Sequence, residues 1–92
     1  MYLAVKSVQP SSDYLLILTF SNGEVRLFDM KPYLEIGLFG ELKDISLFNT
    51  VRVSFDAIEW DNEADMDPEV LYAHSVSLDS QIASEPIAPY GG

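Results

Sequence analysis

Residues 13–20 place Tyr14, Leu16, Leu18 and Phe20 on one face at a period of two, which is typical of a β-strand with a buried face. Residues 3–9 are interpreted as a preceding strand, which the break Pro10-Ser11-Ser12 separates from the next one. A third apolar segment, residues 25–29, follows the tetrapeptide Ser21-Asn22-Gly23-Glu24. Asn-Gly between two apolar segments favours a type I′ turn, because both residues tolerate positive φ. The pattern therefore predicts antiparallel strands joined by a two-residue loop.

The length of that loop decides which side chains share a face of the hairpin. With two loop residues, Phe20 lies opposite Val25 and Leu18 lies opposite Leu27. The predicted core face consists of Leu16, Leu18, Phe20, Val25 and Leu27. The other face would carry Leu15, Ile17, Thr19, Arg26 and Phe28. This second face is too apolar to stay bare, so we expect part of it to be covered.

The middle of the chain predicts shorter elements. A short helix or 3₁₀ turn is expected near Pro32–Glu35, because proline fits the first turn of a helix. Another short turn is expected at Leu47 and Phe48, with Asp44 or Ser46 as its cap.

A second hairpin is predicted over residues 51–60, where two alternating segments flank Asp56-Ala57 as a candidate tight turn. This turn places Phe55 opposite Ile58 on an apolar face. Trp60 belongs to the same face, and we expect it to lie in the core.

A short helix is predicted over residues 68–74. Asp67 is the candidate cap and Pro68 fits the first helical position. Met66 and Leu71 have the spacing of a hydrophobic staple across the helix start. After a last short strand at 76–78, the composition changes to Ser, Pro, Ala and Gly.

Together these elements predict one α+β domain over residues 1–76, followed by a flexible C-terminal tail over residues 77–92. The predicted architecture is an antiparallel sheet of β-hairpins with one or two short helices. The chain has 92 residues, which suits a single small core.

Charge is distributed unevenly along the chain, whose net charge is −10. All five basic residues lie in the first 52 positions, whereas residues 53–92 hold nine acidic residues and no basic ones. Direct nucleic-acid binding is not expected, because a phosphate backbone requires a positive surface. A small basic protein would complement this charge, although acidity also serves solubility alone.

The composition narrows the remaining classes of function. The chain has no cysteine, which excludes disulfides, zinc–thiolate sites and thiol nucleophiles. The N-terminus lacks the pattern of a signal peptide, and no apolar run has the length of a membrane span, so a cytoplasmic location is expected. His74 is the single histidine, and no nucleophile motif accompanies it. We therefore expect neither an enzyme nor a cofactor.

Five acidic residues follow Trp60 in close succession, and they are Asp61, Glu63, Asp65, Asp67 and Glu69. Their alternation is similar to a calcium-binding loop, but position six of such a loop is Met66 rather than Gly and position twelve is Tyr72 rather than Glu. A solvated acidic turn that leads into a helix explains the pattern better. As a partner-binding surface, the five acids would act with Tyr72 as an aromatic anchor.

The segment from Ile58 to Tyr72 carries a resemblance to a known family. It reads Ile-Glu-Trp-Asp-Asn-Glu-Ala-Asp-Met-Asp-Pro-Glu-Val-Leu-Tyr, and it resembles the closing signature of a small bacterial domain-of-unknown-function family, the one numbered 2442. Residues 8–10, 14–29 and 42–53 are also similar to that family. Glu63 departs from the pattern, since the family often has Gly there.

This resemblance implies an α+β fold with an antiparallel sheet and no established activity. It also implies a gene neighbourhood similar to that of toxin–antitoxin pairs, in which a second small protein is encoded beside the first. Some members carry a helix-turn-helix after the domain. The residues from Val76 onward are not expected to form one, so DNA binding is not inferred from the resemblance.

The leading hypothesis is a protein-interaction module, the acidic and antitoxin-like partner in a two-component small-protein system, with a homodimer as a further possibility. One alternative is a carrier protein modified at its terminal Gly91-Gly92. Another is a metal-dependent enzyme built from carboxylates.

Overall fold

The fold was analysed in a computed structural model that describes residues 3–78. The chain forms two antiparallel sheets, and short helical segments connect the strands. The first sheet contains β1 (Val5–Pro10), β2 (Leu15–Phe20), β3 (Val25–Asp29) and β7 (Val76–Ser77), in that order. The second sheet contains β4 (Arg52–Ser54), β5 (Ala57–Glu59) and β6 (Asp65–Met66). The predicted α+β class is confirmed, and the predicted hairpins divide between two sheets.

The helical segments are short. They are the α-helices α1 (Ile45–Phe48) and α2 (Pro68–Ala73) and the 3₁₀ segments Ser12–Tyr14, Lys31–Tyr33 and Gly37–Lys43. The Asp44 carboxylate caps α1 by accepting a hydrogen bond from the Ser46 N–H at 3.0 Å. Asp67 occupies the cap position of α2, but its side chain accepts no capping hydrogen bond. None of the helices within residues 3–78 has the length and hydropathy to span a membrane.

The loop between β2 and β3 has three residues instead of the predicted two. The Phe20 N–H donates to the Glu24 carbonyl and the Gly23 N–H donates to the Phe20 carbonyl, both at 2.9 Å. Gly23 has positive φ (88°), whereas Asn22 does not. Such a loop combines an ordinary turn with one left-handed glycine, and it adds one residue to the type I′ loop.

The added loop residue shifts the register by one and exchanges the faces of β3. Leu16 pairs with Phe28 and Leu18 pairs with Arg26. Phe28 is therefore fully buried, while Val25 and Leu27, which were predicted for the core, are half-buried on the other face. The predicted core positions of β2 are confirmed, because Leu16, Leu18 and Phe20 are buried.

The second hairpin turns one residue earlier than predicted. Val53 pairs with Ile58 and Ser54 with Ala57, so Phe55 and Asp56 form the loop. Phe55 has positive φ (58°) and is 98% exposed, so its predicted place opposite Ile58 on the apolar face is wrong. The Asp56 carbonyl accepts a hydrogen bond from the Val5 N–H at 3.0 Å, which joins the tip of this hairpin to β1.

Trp60 lies at the centre of the core, as predicted, and it is fully buried. Its indole N–H donates to the Phe48 carbonyl at 3.1 Å. Its ring meets the Phe39 ring edge-on, with centroids 6.2 Å apart. Met66 and Leu71, the predicted staple residues, are both buried as well.

The β5–β6 turn repeats the design of the β2–β3 turn. The Trp60 N–H donates to the Ala64 carbonyl at 2.9 Å and the Glu63 N–H donates to the Trp60 carbonyl at 3.0 Å. The Asn62 side chain accepts from the Ala64 N–H at 3.1 Å, as the Asn22 side chain accepts from the Glu24 N–H at 3.0 Å. Glu63 has positive φ (72°) at the position that corresponds to Gly23. A side chain in this conformation crowds its own backbone, so Glu63 strains the turn.

Exchanging the residues of the two turns tests this strain. Glu63→Gly should raise the free energy of unfolding by about 0.5–1 kcal/mol, which is the left-handed penalty less the entropy that glycine adds to the unfolded chain. Gly23→Glu should lower it by a similar amount, because nothing lies within 4 Å of a β-carbon at Gly23 and only the conformational term acts. Urea unfolding followed by circular dichroism measures both. Equal effects of the same sign would contradict the argument.

Candidate protein-interaction surface

The alternating acids after Trp60 follow the period of a β-strand. Glu63, Asp65 and Asp67 are exposed, whereas Ala64 and Met66 between them are buried. Side chains on a strand point to opposite faces in turn, so burying the two apolar residues turns the three acids to solvent. The pattern that resembles a calcium loop in sequence is therefore an amphipathic edge strand.

Ion pairs neutralise only part of this acidic segment. Asp61 pairs with Arg52 at 2.6 Å, and Arg52 also approaches Glu59 at 4.0 Å. Within residues 3–78, Glu63, Asp65, Asp67 and Glu69 make no ion pair. The other paired cations are Arg26 with Glu24, Lys31 with Asp13 and Asp29, and Lys43 with Glu35. The segment thus keeps four exposed negative charges without a local counterion.

Three shallow recesses border β6, with volumes of about 310, 270 and 310 Å³. Asp65 lines all three of them. We define the β6 surface by the exposed side chains that line these recesses, which belong to Ile36, Leu38, Phe55, Glu63, Asp65, Asp67 and Val70. The surface therefore combines apolar and acidic side chains around one edge strand.

Apolar side chains are unusually exposed on the β6 surface. Ile36 is 56% exposed and Leu38 is 51% exposed, and Val70 extends the apolar part at 38%. The half-buried Tyr33 ring lines one of the recesses and stacks on the buried Phe28 ring, with centroids 5.5 Å apart, so the surface is joined to the core. Clustered exposed apolar side chains with a polar rim mark interaction surfaces.

The loop that carries Ile36 and Leu38 is tied to the acidic turn. The Asn62 side-chain amide donates to the Leu38 carbonyl at 3.2 Å and to the Glu41 carboxylate at 2.9 Å. One asparagine therefore holds together the apolar and acidic parts of the β6 surface.

Tyr72, the predicted aromatic anchor, is engaged within the chain. Its hydroxyl donates to the Glu24 carboxylate at 2.6 Å, and its ring meets Phe20 edge-on at 5.2 Å. The Arg26 guanidinium lies 4.2 Å from the ring centroid. Tyr72 lines none of the three recesses, so the structure does not bring it together with the acids of β6.

Arg26 is the centre of this second polar cluster. It pairs with Glu24 at 2.8 Å, and it donates to the Ser75 hydroxyl at 2.7 Å and the Ser75 carbonyl at 2.8 Å. Three side-chain hydrogen bonds lower the pKa of Glu24, and they come from Tyr72, Arg26 and Asn22 in order of decreasing effect. The same bond to Glu24, together with burial, raises the pKa of Tyr72. The cluster fixes the segment after α2 against β3.

Other candidate residues show no assembled chemistry. No group of three or more His, Asp or Glu side chains within residues 3–78 is arranged to hold a metal ion. His74 is exposed at the residue that follows α2. Gly91-Gly92 and nearly all of the predicted tail lie outside the described residues.

The sequence reasoning found the acids of the β6 surface and missed the exposure of Ile36, Leu38 and Val70. Ile36 and Leu38 belong to a segment without strand or helix periodicity, and Val70 belongs to the predicted helix over residues 68–74, where an apolar residue normally indicates burial. The one signal was Gly37, which interrupts the apolar run and has positive φ (49°).

The Glu24–Tyr72 hydrogen bond predicts a specific dependence of stability on pH. The lowered pKa of Glu24 contributes stability above its ordinary value of 4.5, and this contribution is lost as the pH falls through the folded-state value. The raised pKa of Tyr72 contributes stability below its ordinary value of 10.0, and this is lost as the pH rises through the folded-state value. Tyr72→Phe should lower the urea midpoint at pH 7 and flatten both limbs of the profile.

Tyr33→Phe is the matched control, because the Tyr33 hydroxyl makes no hydrogen bond within the described part of the chain. Urea midpoints between pH 3 and pH 11 measure the effect. A Tyr72→Phe profile parallel to that of the unmodified protein would contradict the linkage.

A family model matches residues 5–77, and its description reads protein of unknown function (DUF2442). No curated protein and no solved structure matches the chain. The matched residues run from the start of β1 to the end of β7, and thus include the whole β6 surface and the Arg26 cluster. The resemblance seen in the signature from Ile58 to Tyr72 is confirmed: the chain belongs to the DUF2442 family of proteins of unknown function.

Proposed function

We propose that this protein is an interaction module that binds a small basic protein through the β6 surface. The observation that carries the proposal is the set of three exposed acids, Glu63, Asp65 and Asp67, which make no ion pair within residues 3–78 and lie beside exposed apolar side chains. Acids alone would serve solubility, and apolar side chains alone would favour self-association. Their combination suits a partner that presents Lys or Arg around an apolar contact.

The two parts of the β6 surface would contribute differently to binding. The acids accelerate encounter with a basic partner and set its orientation, and salt weakens this contribution. The apolar side chains supply the burial that slows dissociation. Asp65 would contact the partner whichever recess is filled, since it lines all three.

An antitoxin-like role in a two-component small-protein system is the proposed biological setting. It follows from the gene arrangement that the resemblance implies, together with the acidic surface. A cytoplasmic pair is proposed, which the cysteine-free composition suits.

Self-association through the outer face of the first sheet is a second candidate interaction. Leu15, Ile17, Val25 and Leu27 are half-buried there, and Val76, which pairs with Leu27, is 48% exposed. Asp29, which lies opposite Leu15 on this face, is paired with Lys31, and such a mainly apolar face permits isologous pairing of two acidic chains. Light scattering at several protein concentrations tests this dimer.

Neutralising two acids of the β6 surface tests the proposed function. The protein with an N-terminal tag is recovered from the organism that encodes it, its small basic partner is identified by mass spectrometry, and the affinity of the purified pair is measured. Asp65→Asn with Asp67→Asn should weaken binding about 3–10-fold at low salt, since exposed charge pairs contribute about 0.2–1 kcal/mol each. The loss should shrink at high salt.

The matched control is Ser46→Lys with Asn49→Lys. It makes the same change in net charge at two exposed positions of α1 and its C-terminal cap, which line none of the three recesses. An equal loss of affinity in both variants would show that only net charge matters, and it would contradict the assignment of the β6 surface. Absence of any basic partner from the recovered protein would contradict the proposed function itself.

A further inference from the structure

Phe55 is the most exposed large apolar side chain among residues 3–78. It is 98% exposed, compared with 56% for Ile36 and 51% for Leu38. Transfer of a phenyl ring from water to an apolar contact is favourable, and no contact within the described residues uses that free energy at Phe55.

The backbone at Phe55 is strained. Its φ of 58° lies in the left-handed region, where a bulky side chain is an outlier and Gly or Asn is favoured. Phenylalanine thus destabilises this turn by its conformation, and its exposed ring contributes no burial in return. A strained residue whose side chain contributes nothing to the fold indicates a use outside folding.

Backbone hydrogen bonds restrain the turn that carries Phe55. It lies at the tip of the β4–β5 hairpin, and the next residue, Asp56, accepts the backbone hydrogen bond from Val5 that joins the tip to β1. The turn itself is held by pairing of Ser54 with Ala57. A ring presented from a restrained turn loses little entropy on binding.

The surroundings of Phe55 are acidic. It lines one recess together with Glu59 and Asp65, and Asp56 is its neighbour in the loop. Residues 53–78 contain seven acids and no basic residue. The occupant that complements an aromatic ring in this setting is a basic protein surface with an apolar pocket. A second copy of this chain would bring further acids to the same place.

We infer that Phe55 is the aromatic anchor of the β6 surface, and that its ring inserts into an apolar pocket bordered by Lys or Arg on the basic partner. The inference rests on the proposed function and specifies its central contact. It moves the anchor role from Tyr72, whose hydroxyl and ring are used within the chain, to the turn between β4 and β5.

Phe55→Asn separates binding from folding because the two effects have opposite signs. Asparagine tolerates the left-handed conformation, so the melting temperature should rise by about 2–5 °C, as expected for relief of roughly 0.5–1 kcal/mol in a domain of this size. Affinity for the basic partner should fall at least tenfold, the loss typical of a buried aromatic anchor. Phe55→Tyr, which keeps the ring, should retain most of the affinity.

Ile45→Asn is the positional control, because Ile45 is 50% exposed and lines none of the three recesses. It should leave the affinity unchanged. A photoreactive benzoylphenylalanine at position 55 should cross-link to apolar residues of the purified partner.

The outcomes distinguish the inference from the proposed function. Loss of affinity in Phe55→Asn with a gain in melting temperature, and a cross-link within an apolar pocket, supports the anchor. Unchanged affinity in Phe55→Asn, with a loss in Asp65→Asn and Asp67→Asn, overturns the anchor and leaves the interaction module in place. Recovery of no basic protein overturns both.

Discussion

The burial of the Trp60 indole is the constraint on which the arrangement of the chain depends. Its N–H is satisfied by the Phe48 carbonyl at the end of α1, and an indole donor left unpaired in the core would cost about 1–3 kcal/mol. The Trp60 backbone also starts the β5–β6 turn by bonding to Ala64. Because one residue fixes both α1 and this turn, it determines that Ala64 and Met66 face inward. The three acids that alternate with them, Glu63, Asp65 and Asp67, therefore face solvent.

The distribution of basic residues determines where the remaining charge lies. Four of the five cations are paired with acids, and the chain has none after Arg52. Such exposed pairs contribute little to stability, but they neutralise the acids near them. Four exposed acids lie after the last cation in the sequence, and no ion pair within residues 3–78 neutralises their negative charge: Glu63, Asp65, Asp67 and Glu69. The asymmetry of the sequence thus becomes an asymmetry of the surface.

Element types could be predicted from the sequence, whereas registers could not. The apolar positions of β2, the start of α2 and the burial of Trp60 follow from local patterns. Asn22-Gly23, however, fits both a two-residue and a three-residue loop, and the structure adopts the latter with only Gly23 left-handed. The choice depends on distant packing, because the longer loop buries Phe28, which stacks on Tyr33 with centroids 5.5 Å apart. Local turn preference contains no information about that ring.

The sequence predicts the acids of the β6 surface but not its exposed apolar side chains, and one physical reason explains both results. Acids are exposed wherever they occur unless they are paired, so composition alone locates them. An exposed apolar residue is identified only after the core is known, since the same letters normally indicate burial. Phe55 shows this most clearly: in sequence it continues the alternation of the strand before it, and only the position of the turn removes it from the core. Phe55 and Glu63 adopt left-handed conformations in the turns at the two ends of β5, and each lines a recess together with Asp65. Glycine would stabilise these turns but would provide no contact group. The turns of the β6 surface therefore combine backbone strain with exposed charge and an exposed ring, whereas Asp13 and Tyr14, the other left-handed non-glycine residues within residues 3–78, lie in the 3₁₀ segment before β2.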